Sequence, residues 1–365
     1  MLAAGHAVRC LAREPARPRD RPWAGRVDVV AGDVLDPESL APALRDIETV
    51  YYLVHSLGGG PDFTERDPLA ARHLGRAAKA AGVRRIVYLG GLGDPTDNLS
   101  PHLRSRQETG AALREAGVPV TEFRAAVIVG SGSLSFEMIR YLTERIPVMI
   151  CPRWVFTRTQ PIAIGDVLEY LVAALDRPES AGRTLEIGGD EVLTYADMML
   201  GYARARGLRR RMLAVPVLTP RLSSYWVHLV TPIPSKIAQP LIRGLSNDTV
   251  VRDPSARRLF PEIRPVNYAT AVRRALDELE ARTVESSWTD ALISSQVARA
   301  PYTLVNREGL IVERRECSVK NAPAAVYRVF AGLGSERGWL YWDTAWRARR
   351  AGPAVRRRGP APRSA

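Results

Sequence analysis

Lysine, cysteine and histidine are scarce in this chain, and each scarcity excludes something. Only Lys79, Lys236 and Lys320 are lysine among 52 basic residues; the rest are arginine. That imbalance reads as the codon usage of a GC-rich genome rather than a surface tuned for nucleic acid. More than half of the net charge of +13 lies in residues 347–365, which hold seven arginines and no acid among Pro, Gly and Ala. Such a composition predicts a disordered basic tail, and no specific nucleic-acid partner is expected.

Cys10, Cys151 and Cys317 stand far apart and are odd in number. This argues against a disulfide framework and for reduced thiols in a cytoplasm. The five histidines form no HxxxH, no CxxC accompanies them, and no metal site is expected. No run of about 18 uncharged apolar residues is present, so no transmembrane helix is expected. The first residues also lack the charged, apolar and small-residue order of a secretory signal.

What is present is a 365-residue chain, 46% hydrophobic and 25% charged, ordinary for a globular protein with one large or two smaller cores. Apolar β-rich runs alternate with helical patterns through about residue 190, the signature of a doubly wound parallel α/β sheet. The opening Met1–Gly5 reads as a helix end with a glycine stop. Strands are then expected at 6–12, 27–31, 49–55, 85–89, 121–129 and 183–187, with short ones near 147–151 and 155–159. Helices are expected from Asp36-Pro37, over 65–81 ending at Gly82, and over 102–116, 135–144 and 165–175. Residues 302–305 and 310–317 flank Asn306-Arg-Glu-Gly309 as a hairpin. A helix over 322–332 should then open a further domain.

The resulting division is a nucleotide-type domain over 1–285, whose substrate-side elements are 131–160 and 190–285. A linker and hairpin follow at 286–309, the start of a further domain at 310–346, and the tail at 347–365. The apolar stretch 213–245 contains Trp226 and five prolines. It reads as an irregular substrate-side extension, with a peripheral membrane contact as the alternative; the prolines exclude one long amphipathic helix. The arginines at 209–211 read as a solvated face.

In a parallel sheet ligands bind at the carboxyl ends of the strands, so residues there carry the functional readings. Arg13 closes the first expected strand, where arginine suits a ribose 2′-phosphate; a surface Arg beside Glu14 is the plainer reading. Asp33 follows the next strand and could accept from an adenine amino group while Val34 packs on the ring, or it could bond its own loop. His55 and Ser56 lead into Gly58-Gly59-Gly60, which lets backbone approach a ligand closely. Gly90 stands in the turn after the 85–89 strand. His102 and Arg106 lie one helical turn apart. Histidine moves protons near neutrality, and arginine anchors phosphate or ribose but cannot serve as a base. Cys151-Pro-Arg-Trp154 and Thr159–Ile162 border the expected cleft, with core packing as the alternative.

Together the blocks at 32–36, 51–56, 86–94, 102–106, 124–133 and 222–226 (Gly-Asp-Val-Leu-Asp, Tyr-Tyr-Leu-Val-His-Ser, Ile-Val-Tyr-Leu-Gly-Gly-Leu-Gly-Asp, His-Leu-Arg-Ser-Arg, Arg-Ala-Ala-Val-Ile-Val-Gly-Ser-Gly-Ser, Leu-Ser-Ser-Tyr-Trp) resemble the atypical short-chain dehydrogenase/reductases. The likeness is to a bacterial NAD(P)-binding subgroup akin to NmrA-like and complex I accessory-subunit proteins. It implies a Rossmann-like fold, NADP as cofactor with NAD as the alternative, and an oxidoreductase or isomerase acting on a small apolar or lipid-like molecule. The alternatives are a non-catalytic NADP-responsive regulator or assembly factor, or an inactive truncated copy. Against the short-chain pattern, Gly stands where a catalytic Ser is expected, and His102 and Arg106 hold the spacing of the Tyr and Lys. Residues 313–346 resemble the start of a helix-grip domain, cut short. The resemblance also implies a central strand and a Gly-rich phosphate loop that this sequence does not show ahead of residue 6. The expectation is therefore a sheet with unpaired edges at 6–12 and 49–55, and low stability.

Overall fold

In a computed structural model, residues 1–16, 18, 21–55, 63–94, 96–215, 244–245, 247–281, 302–307, 310–315, 322–325 and 327 are described. The chain divides into two units, Met1–Arg299 and Ala300–Ala365.

The first unit begins with a 3-10 turn at Leu2–Ala4, stopped by Gly5 in the left-handed region at φ 81°. Strands β1 (Arg9–Ala12) and β2 (Asp28–Ala31) pair in parallel, with Arg9 beside Asp28 and Ala12 beside Ala31. Asp36 then caps a 3-10 turn at Pro37–Ser39, accepting from the Glu38 amide at 3.2 Å, and helix α1 (Leu40–Leu44) follows. Next come β3 (Thr49–Tyr52), α2 (Phe63–Ala80), β4 (Arg85–Gly91), α3 (Pro101–Arg114) and β5 (Val120–Ala125). The chain continues through β6 (Ile128–Val129), α4 (Leu134–Arg145), β7 (Val148–Pro152), β8 (Arg158–Thr159), β9 (Ile162–Ala163) and α5 (Ile164–Ala173). It completes with β10 (Thr184–Ile187), β11 (Leu193–Thr194), α6 (Tyr195–Ala205), β12 (Arg211–Val215), α7 (Ser255–Leu259) and α8 (Tyr268–Glu280).

The main sheet has the order β10-β5-β4-β3, all parallel, and β1-β2 form a separate two-stranded sheet. This is an α/β fold with a parallel sheet. Among the described residues, the outer edge of β3 and the second edge of β1 have no strand partner. The unpaired edges fall where the sequence placed them.

The apolar faces explain the layers. On one side of the main sheet Tyr52, Ile86, Tyr88 and Val120 pack under α2 and α3; on the other Val87, Phe123 and Leu185 pack under α5 and α7. Leu11 of β1 and Val50 of β3 both lie against the first of these cores. Helices α2 and α3 approach closely because Gly75 has no side chain: a Cβ there would sit 3.2 Å from the Leu113 carbonyl oxygen. A third core joins β6 and β7 to α4, α6 and α8 around Phe136, Met198 and Tyr202.

Several expected boundaries shift for physical reasons. The strand read at 49–55 ends at Tyr52, and Leu53 and Val54 are exposed. The strand read at 121–129 is interrupted between β5 and β6, and β6 pairs with β9 instead of staying in the main sheet. The second unit contains β13 (Tyr302–Arg307) and β14 (Leu310–Arg315), an antiparallel hairpin at the expected place. Most of the helix expected over 322–332, and the tail at 347–365, lie outside the described residues.

Candidate functional site

Helix α3 brings the site together. Ser100 caps it, accepting from the Leu103 amide at 3.3 Å, and Pro101 supplies a preset φ in the first turn. The Ser100 amide in turn donates to Asn247 Oδ1 at 3.1 Å. His102 therefore sits half-buried in the first turn of a helix whose start is anchored from both sides. One turn later the Arg106 guanidinium donates through Nη2 to the Leu89 carbonyl and lies 5.1 Å from the centre of the Tyr88 ring. The Tyr88 hydroxyl donates to the Arg106 carbonyl at 2.7 Å. Arg106 is only 9% exposed, so its charge acts in poorly solvated surroundings.

That charge is felt by two histidines. The His102 pKa is pushed down to about 3, by desolvation first, then by Arg106 and then by His55. The His55 pKa is also lowered, by desolvation and then Arg106, although solvent reaches this ring and its shift is the weaker constraint. Mutual electrostatic action among His55, His102 and Arg106 places them in one neighbourhood, off the carboxyl ends of β3 and β4. Both imidazoles are neutral near pH 7.

Tyr52 and Asp67 join Tyr88 in this cluster, and neither was named as a site residue from the sequence. Tyr52 is 2% exposed, its ring is 6.0 Å from that of Tyr88, and its hydroxyl has no hydrogen-bond partner among the described residues. Asp67 of α2 is buried and raises the pKa values of Tyr52 and Tyr88, behind desolvation as the main cause. Tyr88 is pushed up to about 12, and both phenols stay protonated as donors. The only signal in the sequence was the doubled Tyr51-Tyr52. Alternation sends Tyr51 to the other face, where it donates to the Leu171 carbonyl at 2.7 Å.

The remaining expected residues divide. Arg13 is exposed at the end of β1, with no ion pair or side-chain hydrogen bond among the described residues. Asp33 follows β2 and is half-buried; its Oδ1 accepts from the Leu35 amide at 3.0 Å, the loop-bonding alternative, which leaves Oδ2 for a ligand. Val34 is half-buried, with its side chain also packed against the core under α2 and α3. Gly90 also has a packing role: it lies within β4, and a Cβ there would meet Glu122 Oε1 at 3.0 Å. Glu122 is fully buried between Arg114 and Arg124, and Gly110 of α3 leaves room for the same carboxylate. Ser56 and Gly58-Gly59-Gly60 lie outside the described residues, as do the Trp154 side chain and 222–226. Cys151 is 2% exposed in the third core, and burial raises its pKa as it does that of Cys10. Cys317 lies outside the described residues.

Among the described residues no group of three His, Cys, Asp or Glu could hold a metal, and no helix is long and apolar enough to cross a membrane. Arg13 and Asp33 follow β1 and β2, and His55, His102 and Arg106 lie off the ends of β3 and β4; carboxyl ends of parallel strands are where such a sheet can take a dinucleotide. The orphaned Tyr52 donor belongs to that second group.

Comparison with known proteins finds likenesses of family and fold. Residues 1–128 match the family described as NAD(P)H-binding. An uncharacterised chloroplastic protein of Arabidopsis thaliana is 27% identical over 191 residues, 45% of this chain and 56% of that protein. The photosystem II assembly factor Ycf39 of Cyanophora paradoxa is 24% identical over 221 residues, 59% of this chain and 66% of that one. The chain thus spans between half and two thirds of these relatives' length. Among solved structures, the NADPH-dependent quinone oxidoreductase QOR2 of Escherichia coli with NADPH aligns at TM-score 0.59 and 18% identity, covering 73% of this chain and 90% of that one. That likeness concerns the fold.

Proposed function

We propose that this chain is an NADP(H)-dependent oxidoreductase that reduces a small apolar carbonyl or quinone-like compound. The observation that carries the reading is the convergence of a low-solvation guanidinium, Arg106, with two neutral imidazoles, His55 and His102, off the carboxyl ends of β3 and β4. The nicotinamide supplies a hydride when bound. Reduction of a carbonyl develops negative charge on oxygen. A fixed cation in a poorly solvated site stabilises that charge far more than it would in water. The neutral His102 ring donates a hydrogen bond to the same oxygen, and the proton comes finally from solvent. A side chain with a pKa near 3 is a poor proton donor by ionisation at pH 7, so His102 polarises the carbonyl rather than titrating with it. Arg13, without an ion pair among the described residues, holds the 2′-phosphate and selects NADP over NAD.

The second reading is a non-catalytic NADP-responsive regulator or assembly factor. It is favoured by the engagement of Arg106 with the Leu89 carbonyl and the Tyr88 ring, and by the absence of a Ser at Gly90. NADPH titration followed by consumption assays with naphthoquinones and aromatic aldehydes separates the two. The expected result is binding with turnover, and turnover reduced about 10²-fold in His102→Ala with NADPH affinity unchanged. Binding without turnover on any acceptor would establish the regulator instead.

A further inference from the structure

The side of the molecule formed by β7 and β12 has a feature the cofactor site does not use. These strands pair in parallel, Arg211 beside Val148 and Leu213 beside Ile150. Met149 and Cys151 point into the third core, and Met212 packs against it. The alternate residues face outward: Val148 is 46% exposed, Ile150 52% and Leu213 56%. Three large aliphatic side chains on one face of one ribbon are unusual for a surface that stays in water.

Beside that face is a hollow of about 540 Å³. Its apolar lining includes Pro147, Val148, Leu200 and Leu208, and its charged lining is Arg204, Arg209, Arg210 and Arg211, with no acid. The arginines are not equivalent. Arg210 gives its guanidinium to the carbonyls of Thr143, Glu144 and Arg209, closing the end of α4. Arg204, Arg209 and Arg211 are exposed and make no ion pair or side-chain hydrogen bond among the described residues. Uncommitted cations beside an uncovered aliphatic face match one chemistry: negative headgroups over a hydrocarbon layer.

We propose that the β7–β12 face, with Arg204, Arg209 and Arg211, docks on an anionic lipid bilayer. The arginines meet the headgroups while Val148, Ile150 and Leu213 enter the interface. Charge sign selects this partner over an uncharged bilayer, and the aliphatic ribbon selects it over a soluble anion. An apolar substrate dissolved in the same bilayer would then be concentrated beside the enzyme, though the docking itself does not depend on the proposed reaction.

The test is flotation of the full chain with phosphatidylcholine vesicles containing 0–50% phosphatidylglycerol, at low and high salt. Binding should rise with phosphatidylglycerol and fall with salt. The triple change R204Q/R209Q/R211Q should cut partition about 100-fold, from roughly 1 kcal/mol per arginine near an anionic surface. V148S/I150S/L213S should cut it about tenfold with the salt dependence kept. The basic stretch 347–365 will itself attract such vesicles, so location is read by amide hydrogen exchange on the vesicle-bound chain. Added protection at 145–152 and 204–215 is expected, with thermal melts confirming that both variants fold. Protection confined to 347–365 would overturn the proposal. So would partition unchanged in the arginine variant, or a dimer in sedimentation that L213S disperses and lipid does not.

Discussion

The main sheet and the β1–β2 pair are made of the same kind of element, a four- to seven-residue parallel strand, yet they hold their residues very differently. In β4 and β5 Ile86, Val87, Tyr88, Val120 and Phe123 are at most 1% exposed. In β1 every residue is half-buried, and β2 begins and ends exposed. A parallel strand is stable when both edges are paired and both faces covered. β4 has both; β1 has one edge paired and one side chain, Leu11, against a core. Burial is a property of neighbours, not of the strand's own residues.

Substitutions sharpen that contrast, the largest effect first. Phe123→Ala removes a fully buried ring packed between Tyr170 and Phe260 at centroid distances of 5.8 and 5.9 Å. It should cost about 3–5 kcal/mol in urea unfolding. Leu11→Ala, from the same chemical class in the half-covered pair, should cost about 1 kcal/mol. Equal losses would show that the β1–β2 pair is as tightly packed as the main sheet.

Native-state hydrogen exchange should show the β1 and β2 amides opening at least about 10²-fold more readily than those of β4. A melt should accordingly lose the β1–β2 signal first. One sharp transition above about 60 °C, the upper end for ordinary mesophilic domains, would break the comparison.

Arg9 ties the pair together, with Nε 2.6 Å from Asp28 and Nη1 donating to the Arg45 carbonyl at 2.7 Å. Arg9→Leu should cost about 1 kcal/mol, since Asp28 is largely exposed and water screens that partner. The loss should appear as faster exchange in β1 and β2 with β4 unchanged.

At neutral pH the smallest effect is that of His102, which enters only as pH falls. The His102 pKa lies below its unfolded value, so the unfolded chain binds the extra proton first as pH falls. Stability is therefore full above about pH 6.5, the unfolded value, and declines from there toward pH 3. His102→Gln should flatten that decline. A variant with the wild-type pH dependence would place His102 in solvent, outside the influence of Arg106.

The legible parts of the sequence were those governed by local rules. The Gly5 stop, the Asp36-Pro37 start, the Gly82 stop and the 302–315 hairpin are all at their expected places, because caps and turns depend on a few adjacent residues. The site was legible in part. His102 and Arg106 at i and i+4 had to share a helix face, and the structure brings them to His55. Asp67 carried no local mark, and Tyr52 only its place beside Tyr51 in the 51–56 block. Gly90 and Val34, read as ligand positions from their places at or just beyond the ends of strands, also pack against Glu122 and the α2–α3 core.

Composition and periodicity alone determined that this is a parallel α/β chain with a basic stretch at 347–365, since both follow from residue type and spacing along the backbone. Only the tertiary structure decided that Arg106 loses its solvent, that His102 is left uncharged, and that Val148, Ile150 and Leu213 stay uncovered. Those outcomes depend on which distant segments come to lie beside a residue, and desolvation and Coulomb forces act through space rather than along the chain.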